Sequence, residues 1–281
     1  MDRIAAFIDG SAYAASVCDH AAWAAARMRA PVVLVHALDR PVASAVPGSS
    51  GGVLRPGARR SLMERLARHD AEAAAVAVER GQALLEDARA RLLAAADIEV
   101  DTELCHGDPV RVFEEMQTTT RLALIGKRGE RASGPMAHLG SNLERLVRIS
   151  ARPVLVTNRV FRPVARLLIA FDGGPSAGRA VACVAESPVL RGAEAHVLTA
   201  GPGDAARLEA EAGRLRAAGF TVHGHRSGDS PEAAIAAAVR DCGIGLLVLG
   251  KSGNSRLRQL VIGSTTLALM RSCPVPVLIV P

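Results

Sequence analysis

The chain has 281 residues, 49% hydrophobic, 22% charged and only 2% aromatic, with a formal net charge of +6 and a pI near 9.6. That length and apolar content suit two ordinary α/β domains whose cores rest on Ala, Val, Leu and Ile, and they exclude a disordered chain. The basic residues form no dense arm and no aromatics interleave them, which argues against a nucleic-acid partner, and no run reaches the ~18 apolar residues of a membrane span.

In chain order, "RIAAFID" reads as a strand, 11–29 as a helix and "PVVLVHAL" as a second strand. Residues 40–61, "RPVASAVPGSSGGVLRPGARRS", cluster Pro, Gly and Ser and read as a loop. An Ala/Glu/Arg helical pattern follows at 62–95, expected to be a lid or an extended surface helix. Then come "IEVDTELC" as a strand, 108–118 as a helix, "LALIG" as a strand, 140–149 as a helix, and "PVLVTN" as the fifth strand. The segment "RVFRPVAR" at 159–166 is a short linker.

Beyond it the order starts again. "RLLIAFDGGPSAGRA" matches the first strand and its Asp-Gly, with Asp9 and Asp172 equivalent. "RSGDSPEAAIAAA" matches "CHGDPVRVFEEM", "LLVLGKSG" matches "LALIGKRG", and "VIGSTTLALMRSCPVPVLIVP" matches "HLGSNLERLVRISARPVLVTN". The chain is therefore a tandem duplication, 1–158 and 163–281, with an insertion of roughly 40 residues in the first copy. Alternating strands and helices with continuous apolar strands indicate α/β architecture: two doubly wound, Rossmann-like domains, each with a five-stranded parallel sheet. The last strands, "RPVLVTN" and "CPVPVLIVP", are expected to pair the copies as an intramolecular pseudo-dimer, and two chains are expected to associate further as a homodimer.

Asp-Gly after strand one, Gly-Asp after strand three and Gly-x-x-Gly after strand four all fall at the carboxyl ends of the strands, where such folds bind ligands. Glycines let backbone N–H groups approach an anion, and a helix N-terminus adds unpaired donors. The spacing Gly250, Gly253, Gly263, Ser264, together with Asp172, closely resembles the ATP-binding pattern of the universal stress protein family, and the resemblance covers nearly the whole chain. It implies that Asp172 accepts from the adenine amino group, that backbone at Ala200 flanks the base, and that Gly250, Gly253, Gly263, Ser264 and Thr265 hold ribose and phosphates. In the first copy the counterparts are Asp9, Ala37, Gly126, Gly129, Gly140 and Ser141, with Asn142 where the second copy has a hydroxyl. The only two lysines, Lys127 and Lys251, follow the first glycine of each loop, and a compact ammonium there fits beside a phosphate or a loop carbonyl.

The resemblance implies an ATP-binding regulatory stress-response protein, with Mg²⁺ accompanying the phosphates and an unknown protein partner, at most a slow ATPase. Two alternatives are a nucleotide-free interaction scaffold and an adenylate-transferring enzyme; "DGSAYAAS" and "DGGPSAG" lack the S-G-G-x-D loop of the latter. No H-E-x-x-H occurs, and no catalytic residue is assigned. Asp108 and Asp229 are expected to cap the helices that follow them. His36 and His196 fall in the second strands as packing residues, and His223 and His225 share one face of an exposed strand. Five scattered cysteines without a C-x-x-C pair argue against disulfides and against a zinc site, and "MDRIAAFIDG" carries no leader pattern, so a soluble cytoplasmic protein is expected.

Overall fold

The computed structural model describes residues 3–38, 56–129, 141–201, 205–251 and 262–281, with backbone alone at 56–62 and 141. In the first repeat β1 (Arg3–Phe7), α1 (Ala14–Met28), β2 (Val32–Leu38), α2 (Pro56–Ala95), β3 (Val100–His106), α3 (Pro109–Met116), β4 (Thr120–Gly126), α4 (Ser141–Ile149) and β5 (Val154–Thr157) alternate. The second repeat continues with β6 (Arg166–Ala170), α5 (Pro175–Glu186), β7 (Glu194–Ala200), α6 (Ala205–Ala217), β8 (Thr221–Ser227), α7 (Pro231–Asp241), β9 (Leu246–Gly250), α8 (Ser264–Ser272) and β10 (Val277–Val280).

All ten strands form one sheet, in the order β3-β2-β1-β4-β5-β10-β9-β6-β7-β8. Within each repeat every pairing is parallel; the repeats meet at an antiparallel pair, β5 with β10, in the register Leu155 to Leu278. The expected pairing of the last strands is thus observed. Two apolar layers cover the sheet. Ile4, Leu34, Leu124, Ile169 and Val248 face α1, α2, α5 and α6, while Ala5, Val33, Val156, Leu247 and Ile279 face α3, α4, α7 and α8. Burial on both faces is why the strand sequences are almost unbroken in Val, Ile and Leu.

The helix expected at 62–95 begins at Pro56 and runs 40 residues. Its inward stripe, Val78, Gly81, Leu85, Ala88 and Leu92, has the three-and-four spacing of one helix face, and only its C-terminal half is buried. At Gly81 the helix backbone lies so close to the sheet that a Cβ would meet Leu104 Cδ1 at 2.8 Å and His36 Cδ2 at 2.9 Å. Residues 63–80 are almost all exposed, Val76 at 62%. Most of the loop expected at 40–61 lies outside the described residues. Among those described, no helix is long and apolar enough to cross a membrane.

Helix starts follow local chemistry, with one correction. Asp108 caps α3, its carboxylate accepting from Val110 N at 3.0 Å. Asp229 does not cap α7: Ser230 does, accepting from Ala233 N, and Asp229 instead accepts from the Ser227 hydroxyl at 2.9 Å. The second copy carries one more residue between Asp and Pro, so a serine takes the cap position there.

Candidate functional site

Strand order reverses between β1 and β4 and again between β6 and β9, because the chain leaves the central strand first toward one side and then toward the other. The crevice beyond the carboxyl ends of those strands collects the motifs. Asp9 and Asp172 lie just beyond the first strands, and each carboxylate turns back on its own chain. Asp9 Oδ1 accepts from Ser11 N at 3.1 Å, and Asp172 Oδ1 accepts from Gly174 N at 2.8 Å. Both acids are thereby held in a fixed turn.

The glycine that ends the fourth strand packs on the start of the first helix in each repeat, α1 or α5. A Cβ on Gly126 would lie 2.7 Å from Tyr13 Cβ, and one on Gly250 only 2.8 Å from the Ser176 carbonyl carbon, so neither position accepts a side chain. Tyr13 and Ser176 are equivalent positions, and the sequence reading passed over both. Gly129 reaches the neighbouring acid, a Cβ there lying 3.1 Å from Asp9 Oδ2. The structure thus brings Asp9, Gly126 and Gly129 together, with Ala37 at the end of the adjacent β2. Ala200 ends β7, next to the strand that leads to Asp172.

Gly263 is the N-cap of α8, its N–H donating to the Lys251 carbonyl at 3.3 Å, and no side chain caps that helix. Ser264 is exposed and Thr265 half-buried, both in the first turn, where N–H groups have no partner within the helix. The hydroxyl that turns inward belongs to Thr266, which donates to the Gly250 carbonyl at 3.4 Å. Asn142 occupies the matching first turn of α4. Gly140 and Gly253 lie outside the described residues, as does the side chain of Ser141. Two arginines that the motif spacing concealed stand beside the acids and glycines: Arg159 lies over the Tyr13 ring, 5.7 Å from its centroid, and Arg207 is 3.8 Å from a Cβ built on Gly173.

The lysines point elsewhere. Lys127 Nζ donates to the Cys273 carbonyl at 2.8 Å and Lys251 Nζ to the Ser150 carbonyl at 3.0 Å. Ser150 follows α4 and Cys273 follows α8, so each ammonium crosses to the helix end of the other repeat, where carbonyls carry partial negative charge. Burial pushes both lysines below the usual ammonium range.

The histidines of the second repeat also meet. His196 stacks on His225, with His196 Nδ1 and His225 Nε2 2.8 Å apart, and its ring lies tilted against that of His223. Burial, then the neighbouring rings, holds His196 and His225 below the ordinary imidazole range.

The universal stress protein family model matches residues 1–158 and 201–281. The chain is 30% identical over 284 residues, and 99% of both lengths, to the universal stress protein Slr1230 of Synechocystis sp.. It superposes on a universal stress protein from Archaeoglobus fulgidus with a TM-score of 0.72 at 20% identity, covering 99% of this chain and 97% of that one. A putative universal stress protein from Pseudomonas aeruginosa gives 0.61 at 17% identity, covering 100% and 93%.

Proposed function

The chain belongs to the universal stress protein family, and from that premise we propose that it binds ATP at the carboxyl ends of its sheet and acts as a regulatory protein through nucleotide-dependent conformation and partner binding. The observation that carries this reading is the repeated convergence, at a strand-order reversal, of a turn-fixed aspartate with a glycine too crowded for any side chain. In the second repeat an uncapped helix N-terminus joins them.

The donor set fits the ligand. Asp172 offers acceptors for an exocyclic amino group, while the first-turn N–H groups of α8, with Ser264 and Thr265, offer donors for phosphate oxygens. Bound ATP supplies a triphosphate whose charge Mg²⁺ shares. The residues in place bind and orient that anion, and none of them is assigned a catalytic role. The two sites differ in one described contact: Ser176 stands where the first has Tyr13 beneath Arg159.

The test is quantitation of nucleotide released on denaturing protein purified without added ligand. About one or two adenine nucleotides per chain are expected, with Asp172→Ala reducing the ratio by about one. A ratio near zero that ATP and Mg²⁺ do not restore would overturn the proposal and leave an interaction scaffold.

A further inference from the structure

The second repeat carries a cluster that the nucleotide reading does not use, and it sits at the other end of the strands. Glu194 is the first residue of β7 and His196 the third; on the edge strand β8, His223 pairs with His196 and His225 with Leu198. Side chains alternate across a strand, so Glu194, His196, His223 and His225 all face the α7 layer. Helix α7 runs back against the strands, and its C-cap residue, Cys242, comes down beside them. Ligand atoms of His196, His225 and Cys242 lie within 4.8 Å of one another, and so do those of Glu194, His196 and His223.

Two observations distinguish this group from ordinary packing. His196 is only 7% exposed, yet its Nε2 is buried without a hydrogen-bond partner. A buried nitrogen of this kind costs stability unless something supplies the missing bond. Secondly, the cluster is not inherited from the duplicated fold: the strand registers put Val33, Asp101 and Glu103 at the positions of His196, His223 and His225. There Glu103 pairs with Arg3 instead.

We infer that His196, His225 and Cys242 bind a borderline-soft divalent transition ion of the zinc type. Imidazole and thiolate suit such an ion, and its bonds of about 2.0–2.3 Å place tetrahedral donors roughly 3.3–3.8 Å apart. Small rotations of the half-buried His225 and Cys242 close the present spread. On binding, the Cys242 thiol gives its proton to solvent, and each neutral ring keeps its single proton on the nitrogen that does not ligate. Arg166 donates to Glu194 at 3.1 Å and to the Cys242 carbonyl at 3.2 Å, which holds that carboxylate back and leaves the fourth position to His223 or water. The ion would tie the edge strand β8 to β7 and to the end of α7. Sequence spacing hid the site because its cysteine pairs with histidines on other elements rather than with a second cysteine.

The experiment is a titration of untagged, chelator-stripped, full-length protein with Co²⁺ under reducing conditions. One equivalent is expected to give the visible bands of a four-coordinate ion and a thiolate-to-cobalt charge-transfer band. Cys242→Ser loses the charge-transfer band, and His225→Asn, a change on the edge strand, weakens Co²⁺ binding at least tenfold, each with unaltered circular dichroism. Cys273→Ser leaves the spectrum intact. Absence of saturable binding in the unmodified protein, or a charge-transfer band that survives Cys242→Ser, would overturn the site.

Discussion

His20 is fully buried on α1, its Nδ1 within 2.7 Å of the Ser16 carbonyl and its Nε2 without a partner. A ring nitrogen facing a carbonyl must carry the proton, so Nε2 is the bare nitrogen, and burial holds the ring below the ordinary value of 6.5. The sign follows from proton counting. Below pH 6.5 the unfolded chain binds a proton that the folded chain refuses, so this group's stability contribution, intact above pH 6.5, is lost as pH falls toward the depressed value. Urea midpoints measured from pH 8 to 5 are expected to be level and then to fall, and His20→Leu should flatten the fall. A second residue-scale expectation concerns the lysines. Lys251 is 5% exposed while Lys127 is half-buried, so Lys251→Arg, which must fit a larger group into the drier place, should cost about 1–3 kcal/mol and Lys127→Arg less. Chemical denaturation of the two variants checks the order. The sequence singled these lysines out by rarity and position, and gave a loop carbonyl as one destination. That the carbonyl belongs to the other repeat depends on strand pairing far along the chain, which local spacing does not encode.

At the scale of elements, α2 divides into a half that packs and a half that projects. Gly81→Ala would ordinarily gain up to about 1 kcal/mol in a helix interior. Here the new Cβ meets His36, whose ring is pinned by a 2.7 Å bond between Nδ1 and the Ile8 carbonyl, so net destabilisation of about 1 kcal/mol is expected. Val76→Glu, one turn and a half away on the projecting half, should change stability by less than about 0.5 kcal/mol. Thermal melts of the two variants decide the matter. The strands and most helices were legible because Val, Ile and Leu alternate with Ala-rich amphipathic runs, and Asp-Gly and Gly-x-x-Gly mark the turns between them. The start of α2 was not, since Gly and Pro at 56–57 resemble a loop. Nor were the partners of Gly126 and Gly250: Tyr13 and Ser176 look like unremarkable first-turn residues until the fourth strand lands beside them.

For the whole molecule, the decisive contact is the antiparallel seam between β5 and β10, which turns two sheets into one. The duplication itself foretold that seam, because equivalent last strands offer the same unpaired edge to each other. Residues 163–281 expressed alone would bare the β10 edge, and are expected to dimerise through it. In such a dimer Lys251 would find the partner copy's Cys273 carbonyl where Ser150 now stands. Sedimentation of that fragment at tens of micromolar is the check, and a monomer would mean the seam contributes little.

A duplicated gene ordinarily frees one copy to drift while the other keeps its task. The exchanged ammonium-to-helix-end bonds deny this chain that freedom. Shortening α4 would strand a charge in the second half, and shortening α8 would strand one in the first. The two halves are thus bound to change in step, and a chimera that grafts either half onto a foreign relative must carry the matching helix end across with it.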